Sequence, residues 1–280
     1  MRNANEPSIK EFKHKSERIL LRLSGILTIT VVLLCIPVVL LGGELKAWTY
    51  LILTGLLTPI FWKFIVRFRY YKNITDAIQI NENQLPELYR LYKEVALKMG
   101  FTEESGKNQI PPLYVVNGYG IKTFLSSKSA FYENYIVLKD DIANLIYDDE
   151  NNNINALQFI IAHHLAYVKC NLMSSRNVMF YPMMRVLFLH KLFSKAQQYT
   201  ADRVACYYFP ACIENMINLH ITANLGERVN IQEYFTNIEK YENNLFLKFA
   251  NLIKDGLAYR RIKTLRKAQQ QGWDIHGKII

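Results

Sequence analysis

The sequence lacks several features that would assign it to a simple class. None of its four cysteines forms a C-x-x-C pair, which argues against a ribbon-type zinc site and against a redox motif. The chain has no internal repeat and no low-complexity tract. Charge is absent from two long stretches, Leu23 to Gly43 and Ala47 to Trp62, although 21% of the 280 residues are charged. The length allows one sizeable domain with additional segments.

The two uncharged stretches are each close to the roughly 20 residues that cross a bilayer. Only residues 42–46 join them, so we predict a transmembrane helical hairpin over 19–72, after a basic N-terminal segment, 1–18. A signal peptide does not fit, because the first stretch is too long and lacks a small-residue cleavage site. Lysine and arginine flank the hairpin on both outer sides, which predicts that the N-terminus and the main domain, 73–280, face the cytoplasm. The sequence therefore predicts an integral protein of the cytoplasmic (inner) membrane, with the lipid bilayer as a partner.

The formal net charge of +10 raises the question of a nucleic-acid partner. Much of the positive charge flanks the predicted hairpin, where anionic lipid headgroups account for it. A second basic cluster, Arg260 to Lys267, fits the solvated face of a helix better than a nucleic-acid site. We therefore expect no nucleic-acid partner.

The chain after residue 73 is predicted to be mostly helical with a small sheet. Apolar residues at helical spacing predict an amphipathic helix over Pro86 to Met99, with Gly100 just past its end. Strands are predicted at Leu113 to Val116 and at Tyr135 to Leu138. Further helices are predicted over Ile154 to Lys169, Val178 to Phe193, Lys195 to Tyr208, Ile213 to Leu225, Ile231 to Lys254 and Tyr259 to Gln271. We expect the helix at 178–193 to be buried or interfacial, with membrane insertion as the alternative.

The most informative stretch is Ile154 to Lys169, INALQFIIAHHLAYVK, which predicts a buried helix because apolar residues lie on nearly every face. A metal-dependent peptidase has His-Glu-x-x-His in such a helix. Positions i and i+4 share one helical face, so two imidazoles bind one zinc while the Glu acts as general base. Here His163 is kept, but the Glu position holds His164 and the second His position holds Tyr167.

A downstream segment, SKAQQYTADR at 194–203, resembles the S-R-x-x-E-Y-x-A-D-R pattern of the HtpX-like membrane zinc metallopeptidases, relatives of the CAAX prenyl proteases. Partial similarities to the same family lie at Lys98 to Phe101, Pro112 to Val116, Ile136 to Leu138, Ala162 to Lys169, and Arg261-Ile262 with Leu265. These motifs, in order, span nearly the whole chain. The resemblance implies an α+β, predominantly helical fold, in which the transmembrane hairpin precedes a zincin-like metallopeptidase domain with a small sheet.

The resemblance also places the family's three zinc ligands at His163, Tyr167 and Gln198, and its general base at His164. A phenol and a neutral amide are poor zinc ligands beside imidazole and carboxylate. Without a metal-bound water His164 has nothing to activate, so we expect this general-base position to be inert. We therefore expect no metal and no other cofactor, and a catalytically inactive relative, or pseudopeptidase.

Three functions are compatible with the sequence. The favoured one is a membrane-anchored pseudopeptidase that binds polypeptides, such as membrane-protein segments, by strand addition, or that regulates an active peptidase relative. The second is a divergent active zinc metalloendopeptidase acting on membrane proteins, with substitute ligands such as His190 or Cys170; His163, Cys170 and Cys206 form one such set. The third is a membrane-tethered structural or interaction module, in which the helices bearing His163 and Gln198 would not face one another.

Overall fold

The computed structural model of the chain describes residues 7–40, 61–118, 125–126, 134–147, 153–212, 230–247 and 258–278, apart from positions 62–63, 66, 69, 107, 173 and 242–243. The described residues are mostly helical. Their main helices are α1 (Ile9–Phe12), α2 (Lys15–Leu40), α3 (Pro86–Lys98), α4 (Asp140–Ala143), α5 (Asn153–Lys169), α6 (Ser175–Val186), α7 (His190–Tyr208), α8 (Ile231–Glu239) and α9 (Ala258–Gln271). Short 3-10 helices cover Asn144–Ile146 and Pro210–Cys212.

A small mixed sheet accompanies the helices. Its strands are β1 (Ile78–Gln79), β2 (Leu113–Val116), β3 (Leu125–Ser126) and β4 (Tyr135–Lys139), in the spatial order β1-β2-β4-β3. Strands β2 and β4 are parallel and pair Leu113 with Ile136, whereas β1 and β3 pair antiparallel to their neighbours. The strands predicted at 113–116 and 135–138 are confirmed, and β4 extends one residue further, to Lys139.

Helix α3 confirms the prediction made from its apolar spacing. Leu88 and Val95 are completely buried, and Pro86 occupies the first turn, where its missing N–H has no intrahelical partner to lose. Gly100 ends the helix with a φ of +82°, while the amides of Gly100 and Phe101 donate to carbonyls of the last turn. This is the Schellman arrangement, in which the left-handed residue is best supplied by glycine.

Helix α5 lies at the centre of the core. It packs against α7 and α3, and the side chains of Leu157, Ile161 and Leu165 are fully buried. Because this helix is apolar on nearly all sides, it is covered on nearly all sides, as the sequence predicts. The core therefore positions the two histidines of α5 at a helix–helix interface rather than on the protein surface.

The predicted division of 178–208 into helices is wrong at its boundary. Helix α6 ends at Val186, and α7 begins at His190, four residues before the predicted cap Ser194. Phe188 adopts a left-handed φ of +57°, and the amides of Phe188 and Leu189 donate to carbonyls of the last turn of α6. This is again a Schellman cap, but a phenylalanine occupies the position that glycine usually takes.

The predicted helices from Ile231 and Tyr259 exist, and the first of them ends at Glu239. The helix predicted at 213–225 lies outside the described residues.

The predicted transmembrane hairpin is wrong. Among the described residues, no helix has the length and apolar character needed to cross a membrane. The first uncharged stretch continues α2, which packs against α6 and α7 and carries charge in its earlier turns. Ser24 is buried there, and a side-chain carbon added at Gly25 would lie 3.4 Å from the Phe180 ring. Nearly all of the second uncharged stretch, 47–62, lies outside the described residues. A hairpin needs both spans, and the first is not a membrane span. The predicted integral-membrane location and cytoplasm-facing topology depended on that hairpin, so they are wrong as well.

Candidate functional site

Three helices bring the candidate residues together. Helix α5 carries His163, His164 and Tyr167, and it packs directly on α7, which carries Gln198 and Asp202. Helix α9 packs across α7 and brings Arg261 to the same place. The site is therefore built from side chains that lie as much as 98 residues apart in the chain, from 163 to 261.

The carboxylate of Asp202 forms the centre of the site. Arg261 donates to it from two nitrogens, Nε to Oδ2 and Nη2 to Oδ1, both at 2.6 Å. Asp202 is 1% exposed, so this two-pronged ion pair is almost entirely shielded from water. Two parallel charge-assisted hydrogen bonds of this kind fix orientation as well as charge.

Burial and pairing act in opposite directions on Asp202. Burial alone raises the pKa of a carboxyl group because it penalises the charged form, but the Arg261 guanidinium and the neighbouring His163 outweigh it and hold the pKa of Asp202 well below its ordinary value. Burial likewise lowers the pKa of Arg261, and Asp202 more than restores it. The site therefore keeps an ionised carboxylate and a cation at every physiological pH.

His163 is oriented by the same carboxylate. Its Nδ1 lies 2.8 Å from Oδ1 of Asp202, a short contact whose N–H direction is not aligned for a regular hydrogen bond. A ring with Nδ1 toward a carboxylate turns Nε2 away from it. Metal-binding histidines are commonly held in this way, by an acidic group behind the nitrogen that does not bind the metal. His163 thus has the acidic neighbour that supports a zinc ligand, without the aligned hydrogen bond.

Tyr167 lies one turn after His163, at the position of the second histidine ligand. The two rings meet edge to face with centroids 5.4 Å apart, and the tyrosine is 4% exposed. Burial, followed by the charge of Asp202, raises the pKa of Tyr167 far above its ordinary value. The side chain is therefore a neutral phenol, which is a weak metal ligand.

Gln198 lies one turn before Asp202, at the position of the third ligand. It is half-buried, and its Oε1 has no hydrogen-bond partner among the described residues. The amide is neutral, so this position lacks the negative charge that a glutamate ligand would supply. The structure thus places Gln198 beside the Asp202 cluster, without a direct bond to it.

His164 lies at the position that the resemblance assigns to the general base. Its ring is 1% exposed and meets the ring of His163 at nearly a right angle, with centroids 5.5 Å apart. Burial, with a smaller effect from His163, lowers the pKa of His164 well below its ordinary value. Neither ring nitrogen has a hydrogen-bond partner among the described residues. His164 is therefore a neutral imidazole at physiological pH.

The donor set does not fit a catalytic zinc ion. Such a site needs three strong protein ligands with one open position, and only His163 is a strong ligand here. Within the described part of the chain, no three His, Cys, Asp or Glu side chains are grouped so that they could hold a metal ion. The substitute ligands named from the sequence do not complete a zinc site either. His190 begins α7, about two turns before Gln198; Cys170 and Cys206 are buried thiols, and burial raises the pKa of Cys170 to about 12.

Sequence reasoning missed the role of Arg261. That residue was noted as part of a partial motif and within the basic cluster Arg260 to Lys267, expected on a solvated helix face, yet its side chain is only 11% exposed and keeps Asp202 ionised. A signal was available, because an aspartate on a buried helix face needs a cation nearby. The sequence does not say which of its 34 lysines and arginines supplies it.

Comparison of the chain with protein-family models, with curated proteins and with solved structures gives no match. The resemblance to the HtpX-like metallopeptidases therefore stays a prediction from the motifs. What the site can do therefore follows from the chemistry of the side chains on α5, α7 and α9.

Proposed function

We propose that this chain is a catalytically inactive, peptidase-like protein that acts by binding polypeptide segments or by regulating a partner. One observation carries the proposal. His163 is oriented by Asp202 as a zinc ligand would be, but the two partner positions hold a neutral phenol and a neutral amide, Tyr167 and Gln198. The support for a metal site is kept, whereas the ligands and the acidic base are not.

The packing of α5 on α7 favours this proposal over a misleading resemblance. A coincidental motif match would leave the helices bearing His163 and Gln198 with no reason to face one another. They pack directly, and His163 touches Asp202, one turn from Gln198. The contact joins the two segments that carry the strongest motif similarity. This supports a shared peptidase-like scaffold.

The sheet offers a way to bind an extended polypeptide without cleaving it. Strand β3 lies at one end of the sheet and pairs antiparallel with β4 through Leu125 and Ile136. An extended segment can add to such an edge by main-chain hydrogen bonds, with side chains providing selectivity. Binding of this kind needs no metal and no general base.

The test restores the missing chemistry. In the triple variant His164→Glu, Tyr167→His, Gln198→Glu, all three ligand positions and the base position carry the residues that zinc peptidases use. If the scaffold is peptidase-like, the folded triple variant binds about one zinc per chain by elemental mass spectrometry. The matched control adds His163→Ala to the triple variant, and the zinc should disappear.

Two outcomes would contradict the proposal. Zinc-dependent cleavage of an unfolded polypeptide by the unaltered protein would show that it is an active peptidase. A triple variant that keeps its helical circular dichroism but binds no zinc would show that α5 and α7 do not preserve a metal-site geometry. The unaltered protein should bind an unfolded polypeptide and leave it intact.

A further inference from the structure

Both ends of the described chain meet on one helix. Residues 7–14 and 272–278 lie against α7, where Arg203 is completely buried. Its guanidinium donates to the carbonyl oxygen of Phe12 through Nη2 and to that of Ile275 through Nη1, the latter at 3.3 Å. A single buried cation therefore holds the N-terminal and C-terminal segments together. We name this arrangement the terminal clasp.

Apolar contacts close the clasp on one side of Arg203. The rings of Phe12, Tyr207 and Trp273 pack mutually, with centroids 5.5 to 5.8 Å apart. One ring comes from each of the N-terminal segment, α7 and the C-terminal segment. The Phe12–Tyr207 and Tyr207–Trp273 pairs are edge-to-face, and such pairs each contribute roughly 0.5–1.5 kcal/mol beyond the area they bury.

The C-terminal segment is held close to α9 by Gly277. A side-chain carbon at this residue would lie 2.2 Å from Oγ1 of Thr264, which is too close for any residue but glycine. The carbonyl of Gly277 then accepts a hydrogen bond from Nε2 of His14 at 2.9 Å. Glycine thus allows the two segments to meet through His14.

The hydrogen bonds of His14 define its proton state. The backbone amide of Ser16 donates to Nδ1 at 3.1 Å, so Nδ1 is an acceptor and carries no proton. Nε2 must therefore carry the proton that it donates to Gly277. The backbone amide of His14 also donates to Oγ1 of Thr200 on α7. The closed clasp accommodates only the neutral imidazole, with both of its nitrogens satisfied.

The charges around His14 oppose a second proton. Its electrostatic neighbours include the cations Arg203 and Lys15, and the ring of His276 lies 5.2 Å away. Glu17 is the buried acid nearby, and it is already shared between Lys13, at 3.8 Å, and Thr200, at 3.4 Å. Other charged or titratable groups on the packed elements are Lys10, Glu11, Arg18, Arg22, Asp274 and Lys278 and, on α7, His190, Lys191, Lys195, Tyr199, Asp202, Cys206, Tyr207 and Tyr208, of which Lys195 is a buried cation. Of these, Asp202 is bound by Arg261, and the ring of Tyr199 meets that of His14 at 5.9 Å.

We propose that the terminal clasp is a pH-sensitive device, closed while His14 is neutral and opened when His14 takes up a proton. A proton on Nδ1 would face the Ser16 amide, so two donors would point at each other and one hydrogen bond would be lost. The added charge would also lie beside Arg203. Opening releases both segments to water, where the imidazolium is solvated. This inference does not depend on the proposed function.

The size of the effect follows from linkage. Burial is the main cause that lowers the pKa of His14 from 6.5 to about 4, and burial also lowers that of His276 to about 3. A group with a lowered pKa in the closed state favours opening as the pH falls below its ordinary value. For His14 alone, the opening equilibrium should rise about 20-fold between pH 7 and pH 5, and about 100-fold between pH 7 and pH 4.

Hydrogen exchange of the full-length protein tests the proposal. Protection factors of the amides in 8–18 and 272–278 should fall at least about 100-fold between pH 7 and pH 4, the His14 share alone, while those in α5 stay high. In His14→Gln the side-chain amide can still donate to Gly277 but takes up no proton. The share of the fall due to His14 should therefore disappear in this variant, and the matched His276→Gln should keep that share while losing the part due to His276.

Several results would overturn the proposal. These are unchanged protection of both segments at pH 4, an equal fall in His14→Gln, or loss of protection in α5 at the same pH, which would indicate global unfolding. If His14→Gln opens the clasp at pH 7, the imidazole titration of His14 in the unaltered protein decides instead. Its midpoint must match the midpoint of the local opening, and a mismatch rejects the device.

Discussion

Replacing Arg261 with methionine removes the partner of a buried carboxylate while keeping a side chain of similar length. Asp202 is 1% exposed and receives both of its 2.6 Å hydrogen bonds from this guanidinium. Without Arg261, the contact that the described residues still offer to this carboxylate is His163, at 2.8 Å and poorly aligned. The variant therefore leaves a nearly unpaired charge in the core.

The expected cost is large. Removing one member of a buried ion pair typically costs 3–5 kcal/mol, so Arg261→Met should lower the melting temperature by roughly 6–20 °C. Asp202→Asn should cost a similar amount, since it leaves the guanidinium unpaired. The double variant removes both charges, so its loss should fall short of the sum by about 2–3 kcal/mol. Lys267→Met, at an exposed position of α9, is the matched control and should change stability by less than about 0.5 kcal/mol.

The pH dependence gives a second signature. In the unaltered protein the pKa of Asp202 lies below its ordinary value, so the pair's contribution is complete above about pH 4 and is lost only in stronger acid. In Arg261→Met, burial dominates and raises that pKa, so the variant loses stability as the pH rises through it. Urea unfolding at pH 7 and pH 5 should therefore show a smaller deficit at pH 5. A deficit below about 1 kcal/mol, or one that does not shrink, would refute the reasoning.

Three further predictions concern the rest of the chain. Gly277→Ala should destabilise the protein by about 1–3 kcal/mol in urea unfolding, and Thr264→Ala should recover part of the loss, because it removes the two atoms that clash most; no recovery would contradict the contact. Leu165→Ala should cost about 2–5 kcal/mol, since Leu165 is fully buried in α5, and a loss under 1 kcal/mol would contradict that packing. With the other two cysteines replaced by serine, Cys170 and Cys206 should resist a thiol reagent until denaturant is added, whereas fast labelling of the native protein would contradict their burial.

Helix ends show where sequence information is sufficient and where it is not. Helices α3, α5 and α6 all end in Schellman caps, whose left-handed residues are Gly100, Asn171 and Phe188. The end of α3 can be recognised in the sequence, because glycine adopts a positive φ without steric cost. Phenylalanine is not a residue that usually ends a helix, so the predicted boundary between α6 and α7 came too late in the chain. The cap at Phe188 depends on the surrounding packing, which a local pattern does not contain.

The wrong prediction of the hairpin has a related cause, because hydropathy is also read from a local stretch of sequence. It records how apolar a stretch is, but not what covers it. The start of the first stretch belongs to a helix whose Gly25 lies against Phe180, more than 150 residues later in the chain. The start of the stretch is covered, whereas Ile26, Ile29, Leu33 and Leu34 further along are more than half exposed, and composition alone does not say which residues will be covered. The strands and α3 were predictable because alternation and helical spacing are local properties.

The candidate site and the terminal clasp are two sides of one helix. Asp202 and Arg203 are adjacent in sequence and opposite in charge, but their hydrogen bonds go to different partners, since successive helical residues point about 100° apart. Asp202 is bound by α9 and faces α5, whereas Arg203 binds the two chain ends. Helix α9 contributes to both, because Arg261 holds Asp202 while Thr264, one turn later, lies against Gly277. The position of His163 therefore depends on the packing of α7 and α9, which the chain ends help to fix, and the helical motif alone does not determine it.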